Sequence, residues 1–259
     1  MSTAHHPPQL AIDIGNTVVK AAVLGEGGKL GPVIRFNDQE WSAADELVTN
    51  HGVKNIVYST VANVPPPTWM DKWTTEGRFV LALTSDVPLP FRSEYGTMNT
   101  LGQDRIAAVA GSLVPTDSAP AAVPTASLIV DAGTCATLDL IDASGTYHGG
   151  NISPGLRMRL QAMHAFTARL PKLEPAKVTG RVGQSTAAAL RHGAQLGLVY
   201  EIEGLYRRLQ ADFPGLQLLL TGGDAPWLAE HLSVPHVFRP YLVLRGLHLI
   251  LSNYVNNES

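Results

Sequence analysis

The chain has 259 residues, of which 45% are hydrophobic and 16% are charged, and its 19 basic and 22 acidic residues give a formal net charge of −3. A chain of this length and hydrophobic content buries a substantial core, as one large domain or two of ordinary size, which excludes a disordered protein. The balanced charge, with no basic block, argues against nucleic acid or a membrane surface as a partner.

Cysteine usage and hydropathy predict the compartment. Cys135 is the only cysteine, so an intrachain disulfide and a cysteine-based zinc site are both excluded. The opening MSTAHHPPQL lacks the basic and apolar regions of a secretory signal, and no run approaches the roughly 20 apolar residues of a membrane-spanning helix. We therefore predict a soluble cytoplasmic protein.

The first predicted element is a β-hairpin in Leu10–Leu24, LAIDIGNTVVKAAVL, where two apolar runs flank the polar residues between Asp13 and Thr17. A bend of this composition presents backbone N–H groups beside a carboxylate, which suits a phosphate held through hydrated Mg²⁺. Gly15 allows a polyphosphate to approach the backbone, and Lys20 supplies positive charge if its side chain faces the bend. An ordinary hairpin turn with Asx-type self-capping explains the same residues equally well.

The rest of the first half contains a strand, a loop and a helix. VKNIVYSTVANVPPP, residues 53–67, reads as an apolar strand that runs into a polyproline loop. The apolar spacing from Ile106 onward predicts a helix, with Asp104 near its N-terminal turn. The segment Gly111–Ser127 is rich in Pro, Ser and Ala, which predicts a connection between two halves of the chain.

A second hairpin is predicted at residues 128–145, LIVDAGTCATLDLIDASG, which repeats the pattern of the first. Asp13 and Asp131 occupy equivalent positions, 131 − 13 = 118 residues apart. The repeat predicts two similar halves, and two such bends on facing halves would hold a nucleotide from both sides.

The second half continues with a long helical pattern capped by Ser185 or Thr186, and with a buried strand that ends in the turn Gly222-Gly223. This turn suits an adenosine moiety or is an ordinary strand-to-loop turn. The alternation of strands and helices predicts an α/β fold. No Walker A pattern, dinucleotide-binding pattern or nucleophile elbow occurs in the sequence, which argues against P-loop, Rossmann and hydrolase chemistry.

Two phosphate-binding hairpins and a late Gly-Gly turn resemble the superfamily of sugar kinases, actin and heat-shock ATPases, which has two ribonuclease H-like domains and an active site in the cleft between them. More narrowly, six segments resemble type III pantothenate kinases in sequence and order: DIGNTVVK (13–20), LGQDR (101–105), DAGTCATLD (131–139), GGNISPG (149–155), GQSTAAALRHGAQLG (183–197) and TGGDA (221–225). The resemblance implies an α/β protein with one ribonuclease H-like domain at residues 1–115 and another at 125–259.

The activity that this resemblance implies is ATP-dependent phosphorylation of the primary hydroxyl of pantothenate to 4′-phosphopantothenate, the first committed step toward coenzyme A. The implied cofactors are ATP with Mg²⁺ and a monovalent cation, K⁺ or NH₄⁺. The implied assembly is a homodimer that binds pantothenate, without a nucleic-acid or membrane partner.

The resemblance also assigns roles to individual residues. Asp104 is the implied proton acceptor, Asp131 binds the monovalent cation, and Asp13 is expected to hold Mg²⁺ through water. The implied ATP-binding residues are Asp13, Ile14, Gly15, Asn16, Thr17, Val18, Val19, Lys20 and Thr134. The implied pantothenate-binding residues are Tyr95, Gly102, Gln103, Asp104, Arg105 and Thr186.

The chemistry of these residues agrees with the implied roles but leaves alternatives open. An Asp with the ordinary pKa of about 3.9 can take the hydroxyl proton late in a loose transition state, so Asp104 needs no tuning. Arg105 matches the planar carboxylate of pantothenate, or forms a structural salt bridge. By residue type alone, Tyr95 is a packing residue, Thr186 a helix N-cap and Cys135 a small core residue.

Other functional classes share parts of this pattern. A nonenzymatic regulatory relative that acts in transcription should have lost an acidic or phosphate-binding residue, whereas Asp13, Asp104 and Asp131 are all present. Actin-like filament proteins and chaperone ATPases carry added subdomains for which 259 residues leave little room. A sugar or acetyl kinase is the closer enzymatic alternative, which an assay across acceptor hydroxyls separates.

Overall fold

The computed structural model describes residues 7–25, 28–37, 39–61, 68–115 and 125–258, which form two compact units. Unit 1 combines Met1–Pro120 with Tyr241–Ser259, and unit 2 is Ala121–Pro240. The polyproline part of the predicted loop and the centre of the predicted connection, residues 62–67 and 116–124, lie outside the described residues.

Strands and helices alternate along the described chain, which confirms the predicted α/β class. In chain order the elements are β1 (Gln9–Ile14), β2 (Val19–Leu24), β3 (Ile34–Phe36), α1 (Ser42–Asn50), β4 (Asn55–Thr60), α2 (Thr68–Thr75), β5 (Phe79–Ala82), β6 (Arg92–Ser93), a 3-10 turn (Met98–Thr100), α3 (Gln103–Ser112), β7 (Ser127–Ala132), β8 (Cys135–Ile141), β9 (Thr146–Pro154), α4 (Leu156–Ala165), α5 (Thr186–Arg191), a π-helical turn (His192–Leu196), α6 (Gly197–Asp212), β10 (Gln217–Thr221), α7 (Ala225–His231), β11 (Val237–Phe238) and α8 (Leu242–Glu258).

The sheets of the two units share one topology. Unit 1 has the strand order β3-β2-β1-β4-β5, with β1 antiparallel to β2 and parallel to β4. In unit 2 the corresponding strands run in the order β9-β8-β7-β10-β11, with β7 antiparallel to β8 and parallel to β10. The predicted hairpins are β1-β2 and β7-β8, so the repeat in the sequence corresponds to a repeat in topology.

Each sheet is buried by helices. In unit 1, β1 is buried along its whole length, because α1 and α2 cover one face of the sheet and α3 and α8 pack against the other. In unit 2, the alternate residues Leu128, Val130 and Ala132 of β7 share a core with α6 and α7. The central strands are therefore nearly continuous apolar runs, as expected for strands covered on both faces.

The C-terminal helix α8 belongs to unit 1, which differs from the predicted second domain at 125–259. A Cβ on Gly246 of α8 would lie 1.7 Å from the Ala107 carbonyl oxygen of α3, so the two helix backbones approach at a distance that only glycine permits. His248 Nδ1 also lies 2.8 Å from Gln9 Oε1 at the start of β1. Close packing on α3 and β1 therefore returns the end of the chain to the first unit.

Two smaller predictions are refined. The predicted connection Gly111–Ser127 is shorter than expected, since Gly111 and Ser112 complete α3 and Ser127 begins β7. The predicted long helix from residue 185 is interrupted by the π-helical turn before α6. Among the described helices, none is both long and apolar enough to cross a membrane.

A hydrogen-bonded turn joins β8 to β9. The Asp142 carboxylate accepts hydrogen bonds from the Ser144 N–H at 2.8 Å and from the Thr146 N–H at 3.0 Å, and it contacts the Ser144 hydroxyl and His148 Nε2. Burial alone would raise the pKa of Asp142, but these hydrogen bonds outweigh it and hold the pKa well below the ordinary value of 3.8. Ionised Asp142 therefore stabilises this turn.

Candidate active site

The first hairpin places a buried carboxylate beside a lysine. Asp13 of β1 pairs in register with Lys20 of β2, and Lys20 Nζ lies 3.2 Å from Asp13 Oδ2. On the other side, Ser59 of β4 stands opposite Asp13, and its hydroxyl is 3.5 Å from Asp13 Oδ1. Because Asp13 is only 6% exposed, Lys20 compensates a charge that water reaches poorly. The Lys20 ammonium group therefore faces the Asp13 carboxylate, and its role toward a phosphate stays a prediction.

The bend between β1 and β2 is the part of the predicted ATP-binding segment that a ligand can reach. The Gly15 N–H donates to the Val18 carbonyl at 3.3 Å and closes the turn, and Asn16 and Thr17 are exposed at its tip. Ile14 and Val19 are buried in the core of unit 1. Their side chains therefore hold the hairpin in place, and the residues between them are the part of the segment that is open to a ligand.

The N-terminal turn of α3 lies at the same edge of the sheet. Thr60 ends β4 in register with Ile14, the last residue of β1. The Thr60 N–H donates to Gln103 Oε1 at 2.7 Å, and Gln103 is the first residue of α3. This hydrogen bond fixes the start of the helix beside the end of the first hairpin strand. The Gln103 side chain, expected from the resemblance to line the pantothenate pocket, thus anchors α3.

Asp104 follows in the first turn of α3, as predicted, and its orientation is fixed locally. Its Oδ1 accepts a hydrogen bond from the Arg105 N–H at 2.8 Å. A Cβ on Gly102 would lie 2.6 Å from the same oxygen, so a larger residue there would displace the carboxylate. Gly102 therefore provides the space that Asp104 occupies.

Arg105 and Tyr95 lie together in unit 1. The guanidinium carbon of Arg105 is 5.8 Å from the centroid of the Tyr95 ring, within the range of a cation–π contact. Arg105 is 4% exposed, and the Tyr95 N–H donates to the Ser93 hydroxyl at 3.1 Å. The structure thus brings together two of the residues that the resemblance assigns to pantothenate.

The second hairpin has an exposed bend whose backbone contacts Gly155. The Gly133 N–H donates to the Cys135 carbonyl at 2.9 Å, and Thr134 is exposed at the tip. The N–H of Gly155, just before α4, donates to the Thr134 carbonyl at 3.1 Å. A Cβ on Gly155 would lie only 2.1 Å from the Gly133 carbonyl oxygen. Only glycine fits this position, which fixes the Thr134 backbone.

The Gly222-Gly223 turn contacts the second hairpin. Gly222 has a φ of 95°, and a Cβ there would lie 2.5 Å from Asp131 Oδ1 and 2.2 Å from the Ala132 carbonyl oxygen. The Asp224 N–H donates to the same Ala132 carbonyl at 3.0 Å. Burial raises the pKa of Asp224, against the opposing effect of Arg157. The predicted adenosine turn and the predicted cation ligand Asp131 are therefore neighbours in unit 2.

The predicted cap at Ser185 or Thr186 is confirmed as Ser185, whereas the interpretations of Cys135 as a core residue and of Thr186 as the cap are wrong. Cys135 is exposed, because it stands at the first position of β8 beside the hairpin tip, where the strand has not yet entered the core. The cap of α5 is Ser185, whose hydroxyl accepts a hydrogen bond from the Ala188 N–H at 3.2 Å. Thr186 is the first helical residue and is exposed, so capping does not occupy its hydroxyl.

Sequence reasoning missed the neighbours that position these residues. Ser59 and Thr60 are separated from the first hairpin by more than 30 residues and reach it only through the parallel pairing of β1 with β4. Gly155 lies in the quoted segment GGNISPG, but nothing in a single sequence indicates that its α-hydrogen faces the Thr134 peptide. In the sequence, only the alternation of strands and helices indicated that these segments could lie side by side in a sheet.

The side chains near the first hairpin decide whether a metal ion could bind there. Among the residues that the structure describes, no group of three or more His, Cys, Asp or Glu side chains is arranged to hold a metal ion. Mg²⁺ in nucleotide sites typically uses one or two carboxylates, with phosphate oxygens and water as its other ligands. One carboxylate at the hairpin, Asp13, fits such a site.

Comparison with known proteins identifies the family. The family model for type III pantothenate kinase matches residues 9–208. The type III pantothenate kinase of Phocaeicola vulgatus is 37% identical over 245 residues, which cover 94% of this chain and 97% of the relative.

Solved structures agree on the fold. A Campylobacter jejuni protein described as a conserved Baf family transcriptional activator is 22% identical, with a TM-score of 0.58 and coverage of 95% of this chain and 99% of the other. The activator of 2-hydroxyisocaproyl-CoA dehydratase from Clostridium difficile, solved with bound ADPNP, is 11% identical, with a TM-score of 0.55 and coverage of 97% and 96%. These similarities support the two-domain α/β fold. The family model over residues 9–208 and the relative at 37% identity show that the chain belongs to the type III pantothenate kinase family, whose members phosphorylate pantothenate with ATP in coenzyme A biosynthesis.

Proposed function

We propose that Asp104 is the proton acceptor when this chain transfers the γ-phosphoryl group of ATP to the primary hydroxyl of pantothenate. The observation that carries the proposal is the position of Asp104, one residue after the Gln103 side chain that fixes α3 to the end of β4. The edge of the sheet that holds Asp104 also holds the Asp13–Lys20 pair. The proposed acceptor carboxylate and the proposed phosphate-binding hairpin therefore lie in one unit.

The base accepts the hydroxyl proton only late in the phosphoryl transfer. The hydroxyl oxygen attacks the γ-phosphorus, the bond to the bridging β,γ-oxygen breaks, the proton passes to Asp104, and ADP leaves. In a loose transition state the proton is lost late, so a carboxylate that orients the hydroxyl is sufficient. The hydrogen bond from the Arg105 N–H and the space at Gly102 hold the carboxylate ready for this role.

The two hairpins are the proposed phosphate-binding elements. In the first, Asn16 and Thr17 at the tip of the bend are the proposed source of backbone N–H groups and of amide and hydroxyl donors, and Lys20 adds positive charge. In the second, Thr134 is the proposed contact, held by Gly155. Mg²⁺, when bound with the nucleotide, neutralises charge on the phosphate oxygens, and Asp13 is its proposed protein partner through water.

Asp131 is the proposed ligand of a monovalent cation, K⁺ or NH₄⁺. Its register partners are Thr137 on β8 and Thr221 on β10, so carboxylate, hydroxyl and carbonyl oxygens lie close together. Oxygen donors of this kind suit a weakly hydrated cation. No lysine of β8 stands opposite this aspartate, in contrast to Lys20 in the first hairpin.

The proposed pantothenate site uses Arg105 for the substrate carboxylate, with Tyr95, Gly102 and Thr186 as further contacts. A planar guanidinium pairs with a carboxylate through two parallel hydrogen bonds, which gives orientation as well as affinity. We further propose a homodimer without a nucleic-acid partner, in keeping with the net charge of −3. The cytoplasmic location stays a prediction.

Mass spectrometry of the product tests the proposal. The wild-type chain with pantothenate, ATP, Mg²⁺ and K⁺ should form 4′-phosphopantothenate, whereas Asp104→Asn should lose roughly 10²- to 10⁴-fold in turnover with an unchanged thermal unfolding temperature. Glu94→Gln, a carboxylate exchange on an exposed residue of the same unit, is the matched control. Normal turnover of Asp104→Asn would refute its role as base. Absence of product from folded wild type would redirect the search to other acceptor hydroxyls.

A further inference from the structure

A long segment of unit 2, residues 166–185, connects α4 with α5 and contains neither helix nor strand. Connections without secondary structure that exceed about 12–15 residues are uncommon in compact domains and usually have a function. This segment ends at Ser185, the cap of α5, and leads directly to Thr186, the proposed pantothenate contact. The contacts that hold the segment against α5 therefore also determine where Thr186 lies.

The last part of this segment, residues 179–185, folds back onto the first turn of α5. The Ser185 hydroxyl accepts a hydrogen bond from the Ala188 N–H at 3.2 Å. A Cβ on Gly183 would lie 2.3 Å from the Ala189 nitrogen, so the backbone of Gly183 packs directly on the helix backbone. These contacts hold the end of the segment, and its beginning at residue 179 needs a separate attachment.

His192 supplies that attachment with both of its ring nitrogens. Nε2 lies 3.0 Å from the Thr179 carbonyl oxygen, and Nδ1 lies 2.7 Å from the Ala188 carbonyl oxygen. A carbonyl oxygen only accepts hydrogen bonds, so each contact requires an N–H on the ring. Neutral imidazole has one N–H, whereas imidazolium has two. Only protonated His192 therefore makes both hydrogen bonds.

Charged groups also lie on the elements that pack against His192, but they have other partners or are exposed. Arg191 Nε of α5 donates to the Glu174 carbonyl at 3.1 Å, and the Glu174 carboxylate pairs with Arg157 of α4. Arg159 of α4 pairs with Glu201 of α6. The other titratable groups of α4, of the segment 166–185 and of the first turn of α6 are exposed: His164, Arg169, Lys172, Lys177, Arg181 and Tyr200. Water and salt screen the exposed cations, whereas the carbonyl oxygens contact the ring directly and favour its second proton.

His164 holds the same segment through one nitrogen only. Its Nδ1 lies 2.7 Å from the Leu170 carbonyl oxygen. A neutral ring with its proton on Nδ1 makes this contact, so deprotonation of the imidazolium does not break it. Histidine ordinarily gains and loses its charge between about pH 5 and 8. In this range, the contact of His192 with Thr179 should depend on pH, and the contact of His164 with Leu170 should not.

We propose that protonated His192 is a positioning residue for Thr186, and that pantothenate binding weakens as the pH rises and His192 loses its proton to solvent. The remaining N–H of the neutral ring stays with the Ala188 carbonyl of its own helix, and water replaces the exposed contact to Thr179. The segment before Thr186 is then attached to α5 only at its end. The proposal rests on the proposed function, because it takes Thr186 as a contact of pantothenate.

Limited proteolysis with trypsin tests the Thr179 contact without a substrate. The exposed residues Lys177 and Arg181 stand on either side of Thr179, so the rate of cleavage after them reports on how firmly this part of the segment is held. His192→Asn is the reference, because its amide can donate to the Ala188 carbonyl but has no second ring nitrogen for Thr179. The ratio of the two cleavage rates cancels the pH dependence of trypsin itself.

The wild type should be cleaved roughly two- to tenfold more slowly than His192→Asn at pH 6, which is the range expected for one hydrogen bond. At pH 8.5 the two rates should converge. His164→Asn is the matched control, and its rate relative to the wild type should be the same at both pH values. A ratio of wild type to His192→Asn that does not change with pH would overturn the proposal.

Steady-state kinetics at saturating ATP and Mg²⁺ tests the link to pantothenate. His192→Arg carries donors at either pH, so the KM for pantothenate of the wild type should rise roughly two- to tenfold relative to this variant between pH 6 and pH 8.5. The ratio of their kcat values should stay constant, because the reacting groups are unchanged. His192→Asn should show the raised KM at both pH values, and it replaces His192→Arg as the reference if the larger side chain prevents folding. A constant KM ratio between wild type and reference would refute the role of His192.

The two proposals fail separately. If the wild type forms no phosphopantothenate while its protection from trypsin still falls with pH, the contact of His192 with Thr179 stands, and the assignment of pantothenate to Thr186 falls. If the wild type forms product while neither ratio changes with pH, the role of His192 falls and the kinase activity stands.

Discussion

Replacing Gly155 with alanine tests whether the second hairpin must be held at its observed position. A Cβ there would lie 2.1 Å from the Gly133 carbonyl oxygen and 2.7 Å from that of Thr134, whereas real Cβ contacts essentially never fall below 3.0 Å. Relief of the first contact alone requires a displacement of 3.0 − 2.1 = 0.9 Å. Both oxygens belong to backbone, so no flexible side chain can absorb the shift. The tip of the hairpin must therefore move.

The displacement should be visible in stability and in kinetics. Overpacking of this kind costs about 1–3 kcal/mol, which corresponds to a fall in unfolding temperature of roughly 3–15 °C for a domain of this size. A shift of about 1 Å in a substrate-positioning group can cost up to roughly 100-fold, so we expect kcat/KM for ATP to fall at least tenfold. Circular dichroism and an ADP-release assay measure the two effects.

A matched glycine provides the control. Gly204 of α6 has nothing within 4 Å of its added Cβ, so Gly204→Ala should leave ATP kinetics unchanged and raise stability slightly. If Gly155→Ala keeps the wild-type unfolding temperature and the wild-type KM for ATP, the close approach of α4 to the hairpin does not position Thr134, and the reasoning fails.

Three further predictions follow from the site and the fold. Arg105→Lys, which replaces a planar fork by a point charge, should raise the KM for pantothenate about tenfold in a coupled assay, and an unchanged KM would favour a structural ion pair for Arg105. Asp142→Asn should lower the unfolding temperature at pH 7 by a few degrees. Because folding lowers the pKa of Asp142, its contribution to the free energy of unfolding is present above pH 3.8 and is lost as the pH falls. Asp142→Asn should therefore lose less stability than the wild type between neutral and acid pH. Parallel curves of unfolding temperature against pH for the two proteins would contradict this. Replacing K⁺ with Na⁺ should slow turnover if Asp131 binds the cation, and equal initial rates would count against that site.

Short-range sequence patterns predicted the two hairpins and the helix that contain the candidate site residues. Apolar runs on both sides of Asp13 and Asp131 indicated the two hairpins, and β1-β2 and β7-β8 are antiparallel pairs with their bends at the predicted residues. The helical spacing after Asp104 likewise placed this residue in the first turn of α3. These signals succeed because a hairpin and an amphipathic helix are specified by residues close together in sequence.

Contacts between distant segments were beyond such reasoning. The sequence of α8 does not indicate which unit the helix packs against; the close fit of Gly246 against Ala107 and the contact of His248 with Gln9 place it in unit 1. The exposure of Cys135 depends on where the register of β8 with β7 ends, which is at the Ala132–Ala136 pair. Each feature is decided by packing at a specific site, for which a single sequence carries no periodic signal.

The duplicated topology explains why the two hairpins should differ in chemistry. The same register position opposite the aspartate holds Lys20 in the first hairpin and Thr137 in the second. In the first, the protein supplies its own cation to the carboxylate at 3.2 Å. In the second, the equivalent position offers a hydroxyl oxygen, which is a ligand and not a counter-charge. The monovalent cation proposed at Asp131 would be held by oxygen ligands, and K⁺ and Na⁺ differ in size and hydration but not in charge, so the exchange of K⁺ for Na⁺ tests the proposed oxygen site at the second hairpin.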